Sequence, residues 1–189
     1  MAIFVFVGAV SGVGVFLLPE KYITTGSFYV KRAPQDSGEF FTYEGYYGQQ
    51  ASLAYTNTVF ALLESIDLES MALKKLGAPV DELTLRKLHK KISVKKSGPQ
   101  LISLTVKDLS PNESKKVWNA LSDALLETTN KINFDGDTAL SISQVSPEPV
   151  VKKAYNNLVL TVLIGVSFGF ATSVFVLSLK EYTKEEKSS

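Results

Sequence analysis

The chain of 189 residues contains no cysteine and only one histidine, His89. Without cysteine, disulfide bridges, thiolate nucleophiles and cysteine-ligated metals are excluded. His89 stands among basic residues with no second histidine to join it, so we expect a solvated side chain at a helix end. Asp135-Gly136-Asp137 lacks the further carboxylates that a calcium loop requires and predicts a turn. The sequence therefore predicts no enzyme activity, no cofactor and no metal site.

An excess of charge of either sign is also missing. The chain has 20 lysines and arginines against 19 aspartates and glutamates, a formal net charge of +1. Proteins that bind nucleic acid use a strong positive field to attract phosphates. The near balance gives no reason to expect a nucleic-acid partner.

Long apolar runs are present at both ends. Residues 2–18 and 158–179 carry no charged side chain. As helices they would be about 26 Å and about 33 Å long, close to the thickness of a bilayer core. The first run lacks the basic start and the cleavage site of a signal peptide, which favours a retained anchor. We therefore expect two transmembrane helices at 2–18 and 158–179, one domain at 20–156 and a short cytoplasmic tail at 180–189. The distribution of lysine and arginine leaves the orientation open.

The first half of the central segment predicts a strand and two helices. Tyr22–Val30 alternates and is rich in β-branched and aromatic residues, which predicts a strand. From Tyr46 onwards, apolar residues recur at helical spacing until Gly77-Ala78-Pro79, which predicts one long helix. Asp81–Lys91 reads as a short helix with Asp81 as its N-cap.

The second half predicts three strands and a capped helix. Ile92–Lys95 and Leu101–Val106 are strands joined by a hairpin-length connection, and Thr138–Val145 is the last strand. Ser110-Pro111-Asn112-Glu113 has the pattern of a capping box. The helix that it opens has an apolar face formed by Val117, Leu121, Ala124, Leu125 and Ile132. The expected fold class is α+β, with a roughly four-stranded mixed sheet and two to three helices.

Three segments, in this order, resemble one known family. They are LLPEKYITTGSFYV, LHKKISVKKSGPQLISLTVKDLSPNESKKVWNALSDALLE and VSPEPVVKKAYNNLVLTVLIGVSFGF. In order and character they resemble the polysaccharide chain-length determinants, also called polysaccharide copolymerases. The chain is most similar to the short form found beside bacterial tyrosine kinases. It has no GxxxxGK[ST] phosphate-binding loop, so no kinase is fused to it.

The resemblance implies a membrane scaffold and no catalysis. Such a protein regulates the chain length or export of a capsule, exopolysaccharide or O-antigen (lipopolysaccharide) type of polymer. It forms an oligomeric ring in the bacterial inner membrane, with an extracytoplasmic central domain. The implied partners are further copies of itself, the membrane, a polymerase or exporter, and in some systems a separate cytoplasmic tyrosine kinase. The alternative is a membrane-tethered sensor or adhesion domain that takes no part in polymer synthesis.

Three groups of residues are candidates for a functional role. Small residues four apart allow close approach of membrane helices, and the candidates for helix association are Gly8, Gly12, Gly165, Gly169 and Ser173. The expected junction between the domain and the membrane consists of Pro19, Tyr22, Pro147 and Pro149.

The third group is a basic run, which is defined here as Arg86, Lys87, Lys90, Lys91, Lys95 and Lys96. Its positive charges could contact an anionic polysaccharide, lipid phosphate or the carboxylates of a neighbouring subunit. The alternative is a solvated helix face followed by an edge strand, where lysine discourages unwanted strand pairing.

Overall fold

The computed structural model describes residues 20–33, 43–154, 163, 167, 170, 171, 174 and 175. These residues contain five strands and four helices. The chain divides into two compact units, and all of these elements belong to the unit Lys21–Ala154. The strands are β1 (Tyr22–Arg32), β2 (Ile92–Gly98), β3 (Leu101–Asp108), β4 (Leu140–Gln144) and β5 (Val150–Lys153). The helices are α1 (Tyr43–Leu63), α2 (Ile66–Lys75), α3 (Glu82–Lys91) and α4 (Pro111–Asp135).

The five strands form one sheet around the long strand β1. The order is β2-β3-β1-β4, every pairing is antiparallel, and β5 also pairs with β1. One edge of β1 pairs with β3, while β4 and β5 share the other edge. Pro147 and Pro149 lie between β4 and β5 and have no backbone N–H for a strand ladder, which accounts for the interruption. The expected four-stranded mixed sheet is thus a five-stranded antiparallel sheet.

The two faces of the sheet differ in composition. The covered face carries Thr24, Phe28 and Val30 of β1, all of them buried. It also carries the buried residues Ile102, Leu104 and Val106 of β3. They join a hydrophobic core with side chains from all four helices. The open face, defined by Thr25, Ser27, Ser103 and Thr105 and their neighbours on that side, bears half-buried and exposed side chains. Strand alternation places these two sets on opposite sides.

Trp118 anchors α4 on the covered face. Its indole N–H donates to the carbonyl oxygen of Leu104 at 3.0 Å, and its ring stacks on Phe28 with centroids 5.7 Å apart. A Cβ atom at Gly26 would overlap the indole ring. The glycine within β1 therefore provides the space that the largest core side chain needs.

The predicted long helix is wrong, because two helices occupy its place. Ser65 separates α1 from α2 and is the N-cap of α2, where its hydroxyl accepts a hydrogen bond from the backbone N–H of Leu68. The two predicted caps at Asp81 and Ser110 are confirmed, with Pro111 in the first turn of α4. With α1 and α2 separate, the described residues contain four helices rather than two or three.

Two details in the last third of the domain also differ from expectation. Ile132 was assigned to the apolar face of α4 but is 42% exposed, while Trp118, left out of that face, is 1% exposed. The predicted last strand is shorter as β4, and β5 was not predicted at all.

The expectation of two transmembrane helices is not supported. Among the residues that the structure describes, no helix combines the length and the apolar character needed to cross a membrane. This finding contradicts the predicted fold class with two flanking membrane helices and the predicted multi-pass location in the bacterial inner membrane. Segment 2–18 lies outside the described residues, as does segment 158–179 except for the six single positions given above.

Candidate functional site

The residues predicted for helix association cannot be placed. Gly8, Gly12, Gly165, Gly169 and Ser173 lie outside the described residues. Of the predicted junction residues, Pro19 also lies outside them. Tyr22 begins β1, and both Pro147, which is exposed, and Pro149, which is buried, lie in the connection between β4 and β5.

Half of the basic run is used within the domain. The Lys91 ammonium lies 2.6 Å from the Asp108 carboxylate and joins α3 to β3. Lys96 donates to the side-chain oxygen of Asn57 and lies 4.9 Å from the centre of the Phe60 ring. Arg86 pairs with Glu82 one turn earlier, at 3.4 Å. The structure thus splits the run into bound and unbound cations.

The other half consists of Lys87, Lys90 and Lys95. All three are exposed on α3 and on the edge strand β2. Within the part of the chain that the structure describes, none of them forms a hydrogen bond or an ion pair. We call these three residues the free lysines.

The sequence reading missed Glu69, a buried carboxylate on α2. It is 1% exposed and shares the buried face of α2 with Leu68, Ala72 and Leu73. Its Oε1 lies 2.7 Å from Nδ1 of His89, which is in the last turn of α3. An ionised carboxylate can only accept, so Nδ1 carries the proton in this bond. The predicted solvated position at a helix end is confirmed, since the His89 side chain is 68% exposed, but the contact with Glu69 that links α3 to α2 was not predicted.

The second oxygen of Glu69 has no such partner. Oε2 is buried, and no hydrogen-bond donor reaches it from the described residues. A buried acceptor without a donor costs about 1–3 kcal/mol relative to one that is satisfied. The hydrogen bonding of the Glu69 carboxylate is therefore incomplete. Its partner His89, in contrast, has a side chain that is 68% exposed.

Two cavities border this pair. The larger, about 520 Å³, lies between α2 and α3, and its lining consists of Glu64, Ile66, Glu69, Glu82, Leu85, Arg86, His89 and Lys90. The smaller, about 220 Å³, reaches towards β2 and is lined by Leu63, Glu64, Glu69, His89, Ile92, Ser93 and Val94. Glu69 and His89 belong to both linings. We call the larger one the Glu69 cavity.

A sequence signal for Glu69 does exist. Leu68, Ala72 and Leu73 have the spacing of a buried helix face, and Glu69 lies between them on that face. The signal is visible only when a helix boundary is placed at Ser65, the N-cap of α2. If α1 and α2 are taken as one helix, the apolar face is assigned to Ile66 and Met71, and Ile66 is in fact 66% exposed.

The open face carries a ladder of hydroxyl groups. The Thr25 and Thr105 hydroxyl oxygens lie 3.1 Å apart, and those of Ser27 and Ser103 lie 2.8 Å apart. Ser97 of the edge strand extends the ladder through a 2.8 Å contact to Ser103. A cavity of about 330 Å³ lies beside it, at the interruption between β4 and β5. This face offers many hydrogen-bonding groups, and the strand register places the exposed Lys31, Lys95, Lys107 and Lys152 on the same side.

Groups with shifted pKa values lie outside the lining of the Glu69 cavity. The hydrogen bond to Lys75 lowers the pKa of Glu127, and the same bond raises the pKa of Lys75. Hydrogen bonds from Thr84 lower the pKa of the N-cap Asp81. Burial raises the pKa of Tyr55, against a smaller opposite effect of Asn133 and Thr129. These groups stabilise caps and helix contacts.

Metal binding finds no support in the geometry of the described residues. No group of three or more carboxylates and histidines in that part of the chain is arranged to hold a metal ion. The Glu69 and His89 pair supplies two potential ligands, whereas protein metal sites use three or four.

No model of a known protein family matches the chain, and no curated protein sequence matches it either.

Proposed function

We propose that the chain is a scaffold that assembles with copies of itself and takes part in controlling the chain length or export of a surface polysaccharide. The polysaccharide part of the proposal rests on the resemblance of three ordered sequence segments to the chain-length determinants. The assembly part rests on the surface of the folded domain. A polymerase or exporter is the partner that this role requires.

The observation that carries the assembly part is the exposure of the three free lysines. Lys87 and Lys90 lie on α3, and Lys95 lies on the edge strand β2 that follows directly. The neighbouring cations Lys91 and Lys96 are held by Asp108 and Asn57, which leaves these three available for carboxylates outside the domain. Lys87 and Lys90 lie on the helix side of the sheet, whereas Lys95 pairs with Ser103 and lies on the open face. Exposed charges of one sign promote association with surfaces of opposite sign and set their orientation.

The experiment is native mass spectrometry of the full-length protein, followed by the triple variant Lys87→Glu, Lys90→Glu, Lys95→Glu. We expect a discrete assembly of many subunits that the triple variant loses. The matched control is Lys74→Glu with Lys131→Glu, because both lysines are exposed but lie outside the basic run. A monomer for the unmodified protein, or equal assemblies for the triple variant and the control, would contradict the proposal.

The polysaccharide part has its own measurement. In cells that lose this protein, the length distribution of the surface polysaccharide should change, and the triple variant should not restore it. An unchanged distribution in the absence of the protein would refute a role in chain-length control, whatever the oligomeric state.

A second candidate function is a binding domain with no role in polymer synthesis. The Glu69 cavity favours it, because a volume of about 520 Å³ lies within the range of small-molecule sites. The two functions differ in what they require. A scaffold needs the free lysines on the surface, whereas a binding domain needs the buried carboxylate.

A further inference from the structure

We infer that the Glu69 cavity binds a cationic group with several N–H donors on an apolar stem, as in an alkylguanidinium or alkylammonium compound. The inference concerns a ligand site and is independent of the scaffold function proposed above. It depends on the incomplete hydrogen bonding of Glu69, on the apolar walls and on the position of His89.

The carboxylate of Glu69 provides the recognition group. One oxygen is bonded to His89, while the other is buried without a donor. A guanidinium group donates two parallel hydrogen bonds to the two oxygens of a carboxylate. A ligand of this kind would satisfy the oxygen that the domain itself leaves unpaired, and this supplies the gain in free energy on binding.

His89 is the group that such a ligand replaces. Its side chain is 68% exposed, whereas that of Glu69 is 2% exposed. The imidazole can therefore leave the carboxylate and regain hydrogen bonds to water, at the loss of one hydrogen bond and little packing. Because His89 lines both cavities, its departure would open the carboxylate towards each of them.

The walls of the Glu69 cavity suit an apolar stem. Ile66 of α2 and Leu85 of α3 are the aliphatic residues in the lining. Ile66 is 66% exposed, so its side chain has apolar surface that an alkyl chain can cover. An alkyl chain between these side chains would remove apolar surface from water on both sides.

The charges around the cavity favour a cation over an anion at the buried end. Glu69 is the one buried charge in the lining. The others, Glu64, Glu82, Arg86 and Lys90, are exposed, and Arg86 is already paired with Glu82. Exposed charges are screened by water and salt, so the buried carboxylate dominates the site.

The test uses the single histidine of the chain. Because His89 is the only one, its imidazole signals in an NMR spectrum of the full-length protein need no further assignment. Titration with n-butylguanidinium should shift these signals saturably. We expect n-butylammonium to bind more weakly, and n-butanol, which has the same stem without the charge, to cause no saturable shift. Absence of saturation with n-butylguanidinium, or equal binding of n-butanol, would overturn the inference.

Two variants test whether Glu69 is the residue that binds the cation. Glu69→Gln keeps the shape of the side chain and removes the charge, so binding of n-butylguanidinium should weaken about tenfold or more. Glu82→Gln, in the same lining but exposed, is the matched control and should change binding by about twofold or less. Equal losses in the two variants would contradict the assignment.

Ile66→Ala provides a variant with little risk of misfolding, because Ile66 is exposed. It should weaken binding of n-butylguanidinium while leaving binding of guanidinium itself unchanged. Weaker binding of both compounds, or unchanged binding of both, would contradict the role of the alkyl stem.

Native mass spectrometry of the same samples distinguishes two natural sources of the cationic group. If an arginine or lysine side chain of a second copy occupies the cavity, saturating n-butylguanidinium should reduce the assembly to smaller species. If the occupant is a free small molecule, the mass of the protein should not change. Either result supports a cation site. The scaffold proposal fails separately, through the triple lysine variant.

Discussion

Thr24 and Thr25 are neighbours in the sequence, yet their hydroxyl groups lie on opposite faces of β1 and in different environments. On the covered face, the Thr24 hydroxyl lies 2.7 Å from that of Ser114, and both residues are fully buried. On the open face, the Thr25 hydroxyl lies 3.1 Å from that of Thr105, and both residues are half-buried. The chemical group is the same, so the difference between the two pairs isolates the effect of burial.

The comparison separates what stabilises the domain from what is available for binding. Ser114 also donates to the carbonyl oxygen of Pro111, so the buried hydroxyls form a short chain that joins β1 to the first turn of α4. Water cannot replace a member of this chain. On the open face, water can replace each partner, and so can a ligand. Stability should therefore depend on the covered face, and changes on the open face should be tolerated.

Gly26→Ala should have the largest effect, because a methyl group at this position overlaps the indole ring of Trp118. Relief of the overlap would move Trp118 away from Phe28 and from its acceptor on Leu104. We expect a loss of about 3 kcal/mol in the free energy of unfolding, measured by urea denaturation. Gly45→Ala is the control, since a Cβ atom there would meet nothing within 4 Å beyond its chain neighbours and the backbone of its own helix, and it should leave stability unchanged or slightly higher. Equal midpoints for the two variants would contradict this account of the core.

Thr24→Val compared with Thr25→Val should give the next largest difference. Valine preserves the shape of threonine, so each change removes only a hydroxyl group. At Thr24 it leaves the buried oxygen of Ser114 without its donor, which should cost about 1–2 kcal/mol. At Thr25, water reaches the Thr105 hydroxyl and valine favours a strand, so the change should stay within about 0.5 kcal/mol. Similar losses at both positions would mean that the two faces are equally buried in the full-length protein.

The sequence predicted those parts of the fold that depend on neighbouring residues. The caps at Asp81 and Ser110, the hairpin of β2 and β3, and the strand β1 were all found, because local hydrogen bonding and alternation determine them. The division between α1 and α2 was missed, since Ser65 is a weak signal inside a continuous helical pattern. β5 was missed because its four residues form a strand only through pairing with β1.

The candidate site was predictable only in part. The basic run was found, but whether a lysine is free or bound depends on residues far away in the sequence. Lys91 meets Asp108, and Lys96 meets Asn57. Glu69 and His89 are 20 residues apart, on different helices. Their contact follows from the packing of α3 against α2, which no local pattern encodes.

Ser103→Ala tests the open face itself. The Ser103 hydroxyl lies 2.8 Å from those of both Ser27 and Ser97, so one change removes two contacts of the ladder. Because water can replace both contacts, we expect a loss of about 0.5 kcal/mol in the free energy of unfolding. A double-mutant cycle with Ser27→Ala should give a coupling energy of about the same size. A coupling above about 1.5 kcal/mol would show that the ladder is shielded from water.

The smallest effect is expected on the outer surface of the helices, where Lys75 and Glu127 lie 2.7 Å apart and both are exposed. Their hydrogen bond holds the pKa of Glu127 below its ordinary value, so the folded state binds fewer protons than the unfolded state at moderately acidic pH. The pair therefore contributes stability above the pKa of an unfolded glutamate, and this contribution is lost as the pH falls through the folded-state pKa. The same bond raises the pKa of Lys75, so the contribution is also lost at strongly alkaline pH. Lys75→Met should be slightly less stable than the control Lys74→Met at neutral pH, and the difference should vanish in acid. A difference that persists at low pH would mean that the packing of the Lys75 stem against α4, rather than its charge, stabilises this contact.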